Sequence, residues 1–495
     1  MWNGSVAERM AGRPRLGTVV DLPTMRLWGP GALAIVGALL LGPLVTGVPI
    51  VFVLGGIGAS ALVIAVSLYP PLAAFLLLAL TPLLAGIDRG SVIPVLRPSE
   101  ALDLILGIGL LGAVLIGTCP KRELSRGAIR VSHSIFIMAV VSSVVPLLWM
   151  VARGMTITQD DVLYALTIWK YYGIYLLIRR SVGTEADVRR CLWISMIAGA
   201  VVGIIAIVQS LGLFGVSNLL ATYYNNFGNT GALDLGRGSS TLALPIAVAD
   251  LMAFNLAIAA GLLLRGSNHR KALWILVGIL VAGAFGAGEF SGVLGLGIGA
   301  VTIAFLSGRV APILALTPVG LGAATFLRSV IQKRLIGFSN SAGWPISWVT
   351  RLANLRTYFW PQLSSHYNFI LGLRPTARVP VASQITGFVW IESGYTWLLW
   401  AGGIPFLISY LYFVWNGVRV MNQAARRHQD AIGAAATAAV VGLVVVGILM
   451  IMDPHLTYRG SADLLFSLLA LGAWGHARGA SHPEASALGH HPSQT

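Results

Sequence analysis

Residues 431–452 read AIGAAATAAVVGLVVVGILMIM, an uninterrupted apolar run without one ionisable side chain. A helix of about 20 apolar residues crosses the ~30 Å hydrocarbon core of a bilayer. The run is preceded by the polar, basic stretch RVMNQAARRHQD at 419–430. Comparable runs recur along nearly the whole chain, near 27–46, 48–68, 70–86, 101–118, 132–152, 161–178, 191–211, 241–264, 272–288, 290–308, 311–327, 391–416 and 460–477. Span boundaries are least marked in the Pro- and Gly-interrupted pairs near 46–72 and 286–291. The composition agrees: of 495 residues 56% are hydrophobic and 10% charged, with a mean hydropathy of +0.80. Soluble proteins carry about 25% charged residues. The expected fold is an all-α polytopic membrane protein with about 12–14 transmembrane helices, which excludes a soluble enzyme on a single anchor.

Residues 1–26 contain Arg9, Arg13, Arg15 and Arg26 but no apolar core, so they do not form a cleavable signal peptide. They read as a cytoplasmic N-terminal tail. Cys119 and Cys191 are the only cysteines, too few for a disulfide framework or a Cys-based metal site. Numbered from a cytoplasmic N-terminus, the inner connections include CPKRELSRGAIR (119–130), RRSVGTEADVRR (179–190), RGSNHRK (265–271), Arg309 and 419–430. With both tails these hold 20 of the 33 lysines and arginines. The positive-inside rule then places both termini in the cytoplasm. The expected organisation is a transmembrane bundle of about 11 helices over 27–327, a large external loop over 328–390, C-terminal helices over 391–477 and a disordered cytoplasmic tail over 478–495.

The loop 328–390 breaks the charge rule. It carries Arg328, Lys333, Arg334, Arg351, Arg356, Arg374 and Arg378 and no Asp or Glu. Such uncompensated charge calls for an anionic partner. Beside a bilayer, a lipid headgroup or a phosphorylated lipid substrate is expected in preference to nucleic acid. Snorkelling anchors are the plain alternative, but arginine outnumbers lysine here, and its forked guanidinium suits phosphate oxygens. The same loop carries Trp344, Trp348, Tyr358, Phe359, Trp360 and Tyr367. Its segment ISWVTRLANLRTYFW (346–360) has a helical period that puts Ile346, Val349, Leu352 and Phe359 on one face, with Arg356 and Trp360 four apart. An amphipathic surface helix is one reading; the other is a lid whose aromatics pack on sugars while its arginines hold a phosphate.

Ionisable residues inside spans are functional candidates by default. Asp250 lies well inside its helix and Glu289 sits where two helices meet. Glu392 opens the helix after the basic loop and ranks first for that reason. Asp103 and Lys170 complete the set, Lys170 reading as either a functional group or a snorkelling side chain and Asp250 as either a functional group or a structural hydrogen-bond partner.

Three stretches carry a resemblance: GRGSSTLALP at 236–245; RLANLRTYFW at 351–360 followed by FILGLRP at 369–375; and IESGYTWLLWAGGIPFLISYLYF at 391–413. In their order and topology they resemble the O-antigen ligase and O-antigen polymerase superfamily of bacterial inner-membrane glycosyltransferases. The resemblance implies transfer of a glycan from a polyprenyl pyrophosphate carrier to an acceptor hydroxyl at the external face of the cytoplasmic membrane. It implies no cofactor and no metal. By position, Arg237, Arg351, Arg356 and Arg374 would bind the pyrophosphate and Glu392 would be the general base. Trp360, Tyr358 and His366 would contact glycan or acceptor, with Asp250 and Glu289 in support. Implied partners are the lipid-linked glycan, the bilayer and other polysaccharide-assembly proteins. The family's Pro-Asn pair is Pro245-Ile246 here, its Ser-Arg-Gly is Ser291-Gly292, and the ligase branch's His near the re-entry helix has no counterpart closer than His366. These departures favour a polymerase over a ligase.

The chemistry stands beside the resemblance. Outside the cytoplasmic membrane no nucleotide sugar is at hand, so a transfer needs an activated donor held in the bilayer. Fixed cations stabilise a departing pyrophosphate, and a carboxylate taking the acceptor proton contributes about 10²–10⁴-fold. The rival class is a transporter, such as a flippase for lipid-linked glycans, which would share the helix count but is expected to show internal repeats and midplane charge.

Overall fold

The computed structural model describes residues 50–89, 96–120, 125–224, 237–335, 346–381 and 387–473. The expected tail 1–26, the first span 27–46, Trp344 and the tail 478–495 lie outside the described residues. The chain divides into two compact units, residues 1–64 and 65–495. The described part of the first is a helical stretch, the start of α1 (Ile50–Leu68).

The second unit is built almost wholly of helices: α2 (Pro71–Leu84), α3 (Pro98–Leu115), α4 (Arg126–Ala152), α5 (Gln159–Ala165), α6 (Thr167–Ser181), α7 (Glu185–Ser210), α8 (Val216–Tyr223), α9 (Pro245–Leu264), α10 (Arg270–Gly286), α11 (Phe290–Ser307) and α12 (Ala311–Phe326). After these come α13 (Arg328–Leu335), α14 (Ile346–Asn354), α15 (Trp360–Ser364), α16 (Gly394–Arg427), α17 (Ala431–Leu449) and α18 (Ser461–Gly472). Among the described residues seven helices are long and apolar enough to cross a membrane: α3, α4, α7, α9, α11, α16 and α17. Shorter apolar helices include α2 and α18. The chain is a helical protein of the multi-pass membrane kind.

Helix ends follow local chemistry. Pro245 opens α9 at a position where its missing N–H is no loss. Thr184 and Asp187 form a capping box on α7, and Thr158 and Asp161 form one on α5. At the other end of α9, Arg265 donates to the carbonyls of Gly261, Ala425 and His428 and to Thr437 Oγ1, so one guanidinium ties α9 to α16 and α17. Of the seven long helices α9 and α17 are the most enclosed, and they pack against each other. Both are rich in Ala and Gly, and in lipid close backbone approach drives helix association in place of apolar burial.

The structure differs from expectation in three places. The span expected over 161–178 begins at Thr167, and Asp160 and Asp161 sit in the separate short helix α5 ahead of it. Residues 378–390 contain a small antiparallel pair, β1 (Arg378–Pro380) and β2 (Phe388–Trp390), with Val379 opposite Val389. The face expected over 346–360 is broken by a π-helical turn, Leu355–Phe359. Its i→i+5 bonding shifts the rotation of the helix from that turn onward, so Leu355 and Phe359 are buried while Val349 and Leu352 are exposed.

The Gly-Ile-Pro interruption is realised as a break within α16. Gly403 has φ +66°, and a Cβ there would lie 2.3 Å from the Ile370 carbonyl oxygen. Ile404 N donates to the carbonyls of Phe369 and Ile370, and Leu373 N donates to the carbonyl of Trp400. The stretch FILGLRP thus seats on the break in α16, joining two segments that the sequence separates.

Candidate functional site

Arg237 is delivered by a loop with little freedom. Gly238 N donates to Gly286 O, Ser240 N to Gln209 Oε1, Ser240 Oγ to Val202 O and Thr241 Oγ1 to Pro82 O. These bonds hold Ser240 and Ala243 at positive φ, a strained conformation that persists only where the surroundings over-determine it. The anchored loop aims Arg237 Nη1 at Glu289 Oε1, 3.0 Å away at the cap position of α11. Glu289 is buried, and Arg237 Nε is enclosed with no acceptor among the described residues.

Arg351 projects from the last turn of α14. Its Nη1 donates to Asp453 and its Nε lies 3.6 Å from Glu392 Oε1. Asn354, one turn on, is 3.4 Å from Glu392 Oε2. Glu392 precedes α16, whose cap is Ser393 Oγ accepting from Thr396 N. Gly394 N and Tyr395 N both donate to Met450 O, which fastens the start of α16 to the end of α17. That seam brings Glu392 and Asp453 to one guanidinium.

Asp453 belongs to the turn before α18, which also carries a single 3₁₀ turn, His455–Thr457. Fully buried, His455 places Nδ1 2.7 Å from Asp250 Oδ2, while its Nε2 has no protein partner. Tyr458 hydrogen-bonds Asp453 and stacks edge-on to His455 at 5.3 Å. Contacts therefore run from Asp250 through His455, Tyr458 and Asp453 to Arg351 and Glu392, and the Arg237–Glu289 pair lies near enough for the charge of Glu289 to act on Arg351.

Its electrostatics are unusual for carboxylates. Burial pushes the Glu392 carboxyl above its ordinary range, Arg351 pulls it back, and neighbouring Asp453 adds to the rise. Asp453 is likewise pushed up by burial, against the pull of Arg351. A carboxylate with a raised pKa is a stronger base near neutral pH. Glu392 keeps 30% of its side chain exposed, so an outside group can reach it.

A second cluster takes up other arginines of the 328–390 stretch. Arg374 grips Asp161 with Nε at 3.0 Å and Nη2 at 2.6 Å. Thr376 adds Oγ1 at 2.6 Å, and Thr158 adds its N–H and hydroxyl. Burial would raise the Asp161 carboxyl, but these hydrogen bonds, Arg374 first, hold it well below the usual range. Arg378 pairs with Asp160 and lies over the rings of Phe388 and Trp390.

The expectation of seven uncompensated charges in 328–390 is therefore corrected. Arg351, Arg374 and Arg378 meet carboxylates from other parts of the chain. Arg356 is exposed and makes no ion pair among the described residues, and the same holds for Arg328 and Lys333. Trp360 Nε1 lies 3.3 Å from Thr396 Oγ1, against the start of α16. Tyr358 is half-buried and its carbonyl accepts from Gln362. His366 is exposed, at φ +52°, with Nδ1 2.7 Å from Ser365 Oγ. No contact joins it to the Glu392 network among the described residues.

Asp250 has the hydrogen-bond partner that the simpler of its two readings requires. Lys170 does not snorkel: its Nζ is 2.8 Å from Asp463 Oδ1, and the charge of Asp103 acts on it as well. Among the described residues no three His, Cys, Asp or Glu side chains gather into a metal site.

Sequence reasoning singled out Arg237, Asp250, Glu289, Arg351 and Glu392, and these converge. It missed Asn354, Asp453, His455 and Tyr458, and the latch residues Asp160, Asp161 and Thr376. The available signal was MDPHLTYRG at 452–460, a dense polar turn between two apolar runs. Compared with known proteins, the chain matches no family model and no curated protein.

Proposed function

We propose that this protein is a membrane glycosyltransferase that moves a glycan from a polyprenyl pyrophosphate carrier to an acceptor hydroxyl, acting as a polysaccharide polymerase in preference to a ligase. On this reading the shorter apolar helices, α6, α10 and the run 27–46 also cross the bilayer, giving 12–14 spans in the bacterial cytoplasmic membrane. Both termini are then cytoplasmic, with the site on the external face.

The observation that supports it is one network drawn from three separated stretches. Arg351 and Asn354 on α14 meet Glu392 ahead of α16 and Asp453 after α17, and the Arg237–Glu289 pair, from the loop before α9 and the cap of α11, lies near them. A base of raised pKa sits among guanidiniums, the pairing that departure of a pyrophosphate and capture of a hydroxyl proton require.

The roles sort by what each side chain has left to offer. The acceptor oxygen attacks the anomeric carbon as the bond from that carbon to the pyrophosphate oxygen breaks. The electron pair leaves with the pyrophosphate and the hydroxyl proton passes to a Glu392 oxygen. Arg356, exposed and without an ion pair among the described residues, and Arg237, whose Nε has no acceptor among them, meet the pyrophosphate. Arg351 is held by two carboxylates and positions Glu392. Arg374 is already satisfied by Asp161 and braces the loop.

A second reading, a transporter of lipid-linked glycan, draws on the Lys170–Asp463 pair and nearby Asp103 among the helices. Purified protein in detergent, given lipid-linked donor and acceptor, separates the two. Polymer growth without any closed compartment supports the transferase, and its loss in Arg356→Ala and Glu392→Gln supports the roles. No growth in detergent, with glycan translocation in sealed vesicles, would overturn it in favour of the transporter.

A further inference from the structure

A groove of about 400 Å³ opens between the first turns of α4 and the last turns of α6, far along the chain from the network above. Its walls change character along its length. At one end stand Ser132 and His133 from α4 and Arg179 and Arg180 from α6; toward the other stand Phe136 and Tyr172. The Phe136 and Tyr172 rings are 5.8 Å apart, and Trp169 packs edge-on against both. At 1.5 Å per residue, Ser132 to Phe136 spans about 6 Å along α4. Polar and aromatic surface are therefore presented side by side.

Among the described residues no Asp or Glu lines the groove. Arg179 is held in place by its guanidinium lying 5.9 Å over the Tyr175 ring. The guanidinium also hydrogen-bonds the Tyr175 side chain, and its Nη2 is enclosed without an acceptor among the described residues. An enclosed donor on a charged group is costly to leave unmet, and a guanidinium fork is matched by phosphate oxygens. Arg126 and Arg130, on the opening turns of α4, add positive charge at the same end of that helix.

We propose that this groove binds an anionic glycerophospholipid, its phosphodiester held by Arg179 and Arg180 and its acyl chains lying along Phe136 and Tyr172. The anionic class follows from the lining: two guanidiniums, with no carboxylate among the described lining residues, favour a headgroup of net negative charge. The lipid source follows from the aromatic half, which a free phosphate would leave bare. Basic pockets between helices are a recurrent form of lipid headgroup recognition. This proposal is independent of the glycosyltransferase reading, since the groove shares no residue with that network.

Native mass spectrometry of the detergent-purified full chain tests it, with phosphatidylglycerol, phosphatidylcholine or inorganic phosphate added. The expected result is a retained phosphatidylglycerol adduct, at least ten-fold more abundant than the phosphatidylcholine adduct. It should be lost in Arg179→Gln/Arg180→Gln and kept in Arg426→Gln/Arg427→Gln, an arginine pair in the last turn of α16. Arg180→Gln alone, at an exposed position, carries the test should the double variant fail to fold. Equal adducts with phosphatidylcholine, or equal loss from the two arginine pairs, would overturn the proposal. So would full displacement of the lipid by millimolar phosphate, which would mark a free-anion site.

Discussion

Two clusters take arginines from the same stretch of chain and treat them in opposite ways. Around Asp161 the carboxylate is saturated: Arg374 with two nitrogens, Thr376 and Thr158 all donate to it, and its side chain is fully buried. Around Arg351 the saturated partner is the guanidinium, and Glu392 is left with a 3.6 Å ion pair and a 3.4 Å contact from Asn354. The first arrangement lowers a carboxyl pKa and the second leaves one raised. Identical residue types thus build a latch in one place and a candidate base in the other. What differs is how many donors each carboxylate already holds.

The comparison breaks most sharply on paired substitutions. Glu392→Gln should lower the rate of polymer growth by about 10²–10⁴-fold, the contribution of a general base, with the unfolding temperature in detergent nearly unchanged. Asp161→Ala should do the reverse. Removing one partner of a buried ion pair costs about 3–5 kcal/mol, read as a lowered unfolding temperature, while the protein that remains folded keeps its specific activity. If Asp161→Ala destroys turnover in fully folded protein, the latch is part of the chemistry and the distinction fails.

Acidity sharpens the same contrast. The raised pKa of Glu392 means that its basic form is lost as pH falls, beginning above the ordinary carboxylate value of about 4.3. The rate of transfer should therefore decline on acidification from neutral pH, and Glu392→Gln should abolish that limb. Asp161 has the opposite sign. Its folded pKa is depressed, so its contribution is fully present above the unfolded value of about 3.9 and disappears only as pH falls through the folded pKa. The difference in unfolding temperature between wild type and Asp161→Ala should accordingly be the same at pH 5 and pH 7. A difference that shrinks across that interval would show that the latch is not held in its ionised form.

The helices were legible because apolar runs such as 431–452 and 245–264 leave few alternatives in a chain with so little charge. Glu392 and Arg351 were legible because they border or occupy a basic stretch that contains no carboxylate. Their partners were not. Counting charge along 328–390 misses Asp160, Asp161 and Asp453, which reach those arginines from more than 70 residues away. The Asp250–His455 pair hid for a related reason: one member is inside an apolar helix, the other in a turn too short to draw notice. The broken face of 346–360 was invisible to a 3.6-residue period because a π-helical turn changes the period itself.

The smallest expected effect probes how the latch is divided. Thr376 Oγ1 donates to Asp161 Oδ1 at 2.6 Å, and its carbonyl separately accepts from Trp400 Nε1. Thr376→Val keeps the shape and the Trp400 bond and removes the hydroxyl alone. Asp161 retains Arg374 and Thr158, so no charge is stranded, and the loss should be that of one hydrogen bond to a charged group, about 1.5–3 kcal/mol. Combined with Asp161→Ala, the same substitution should add little, because its acceptor is already gone. Additive losses in that double-variant cycle would mean that the Thr376 hydroxyl stabilises the fold independently of the carboxylate, and the latch would reduce to Asp161 with Arg374 and Thr158.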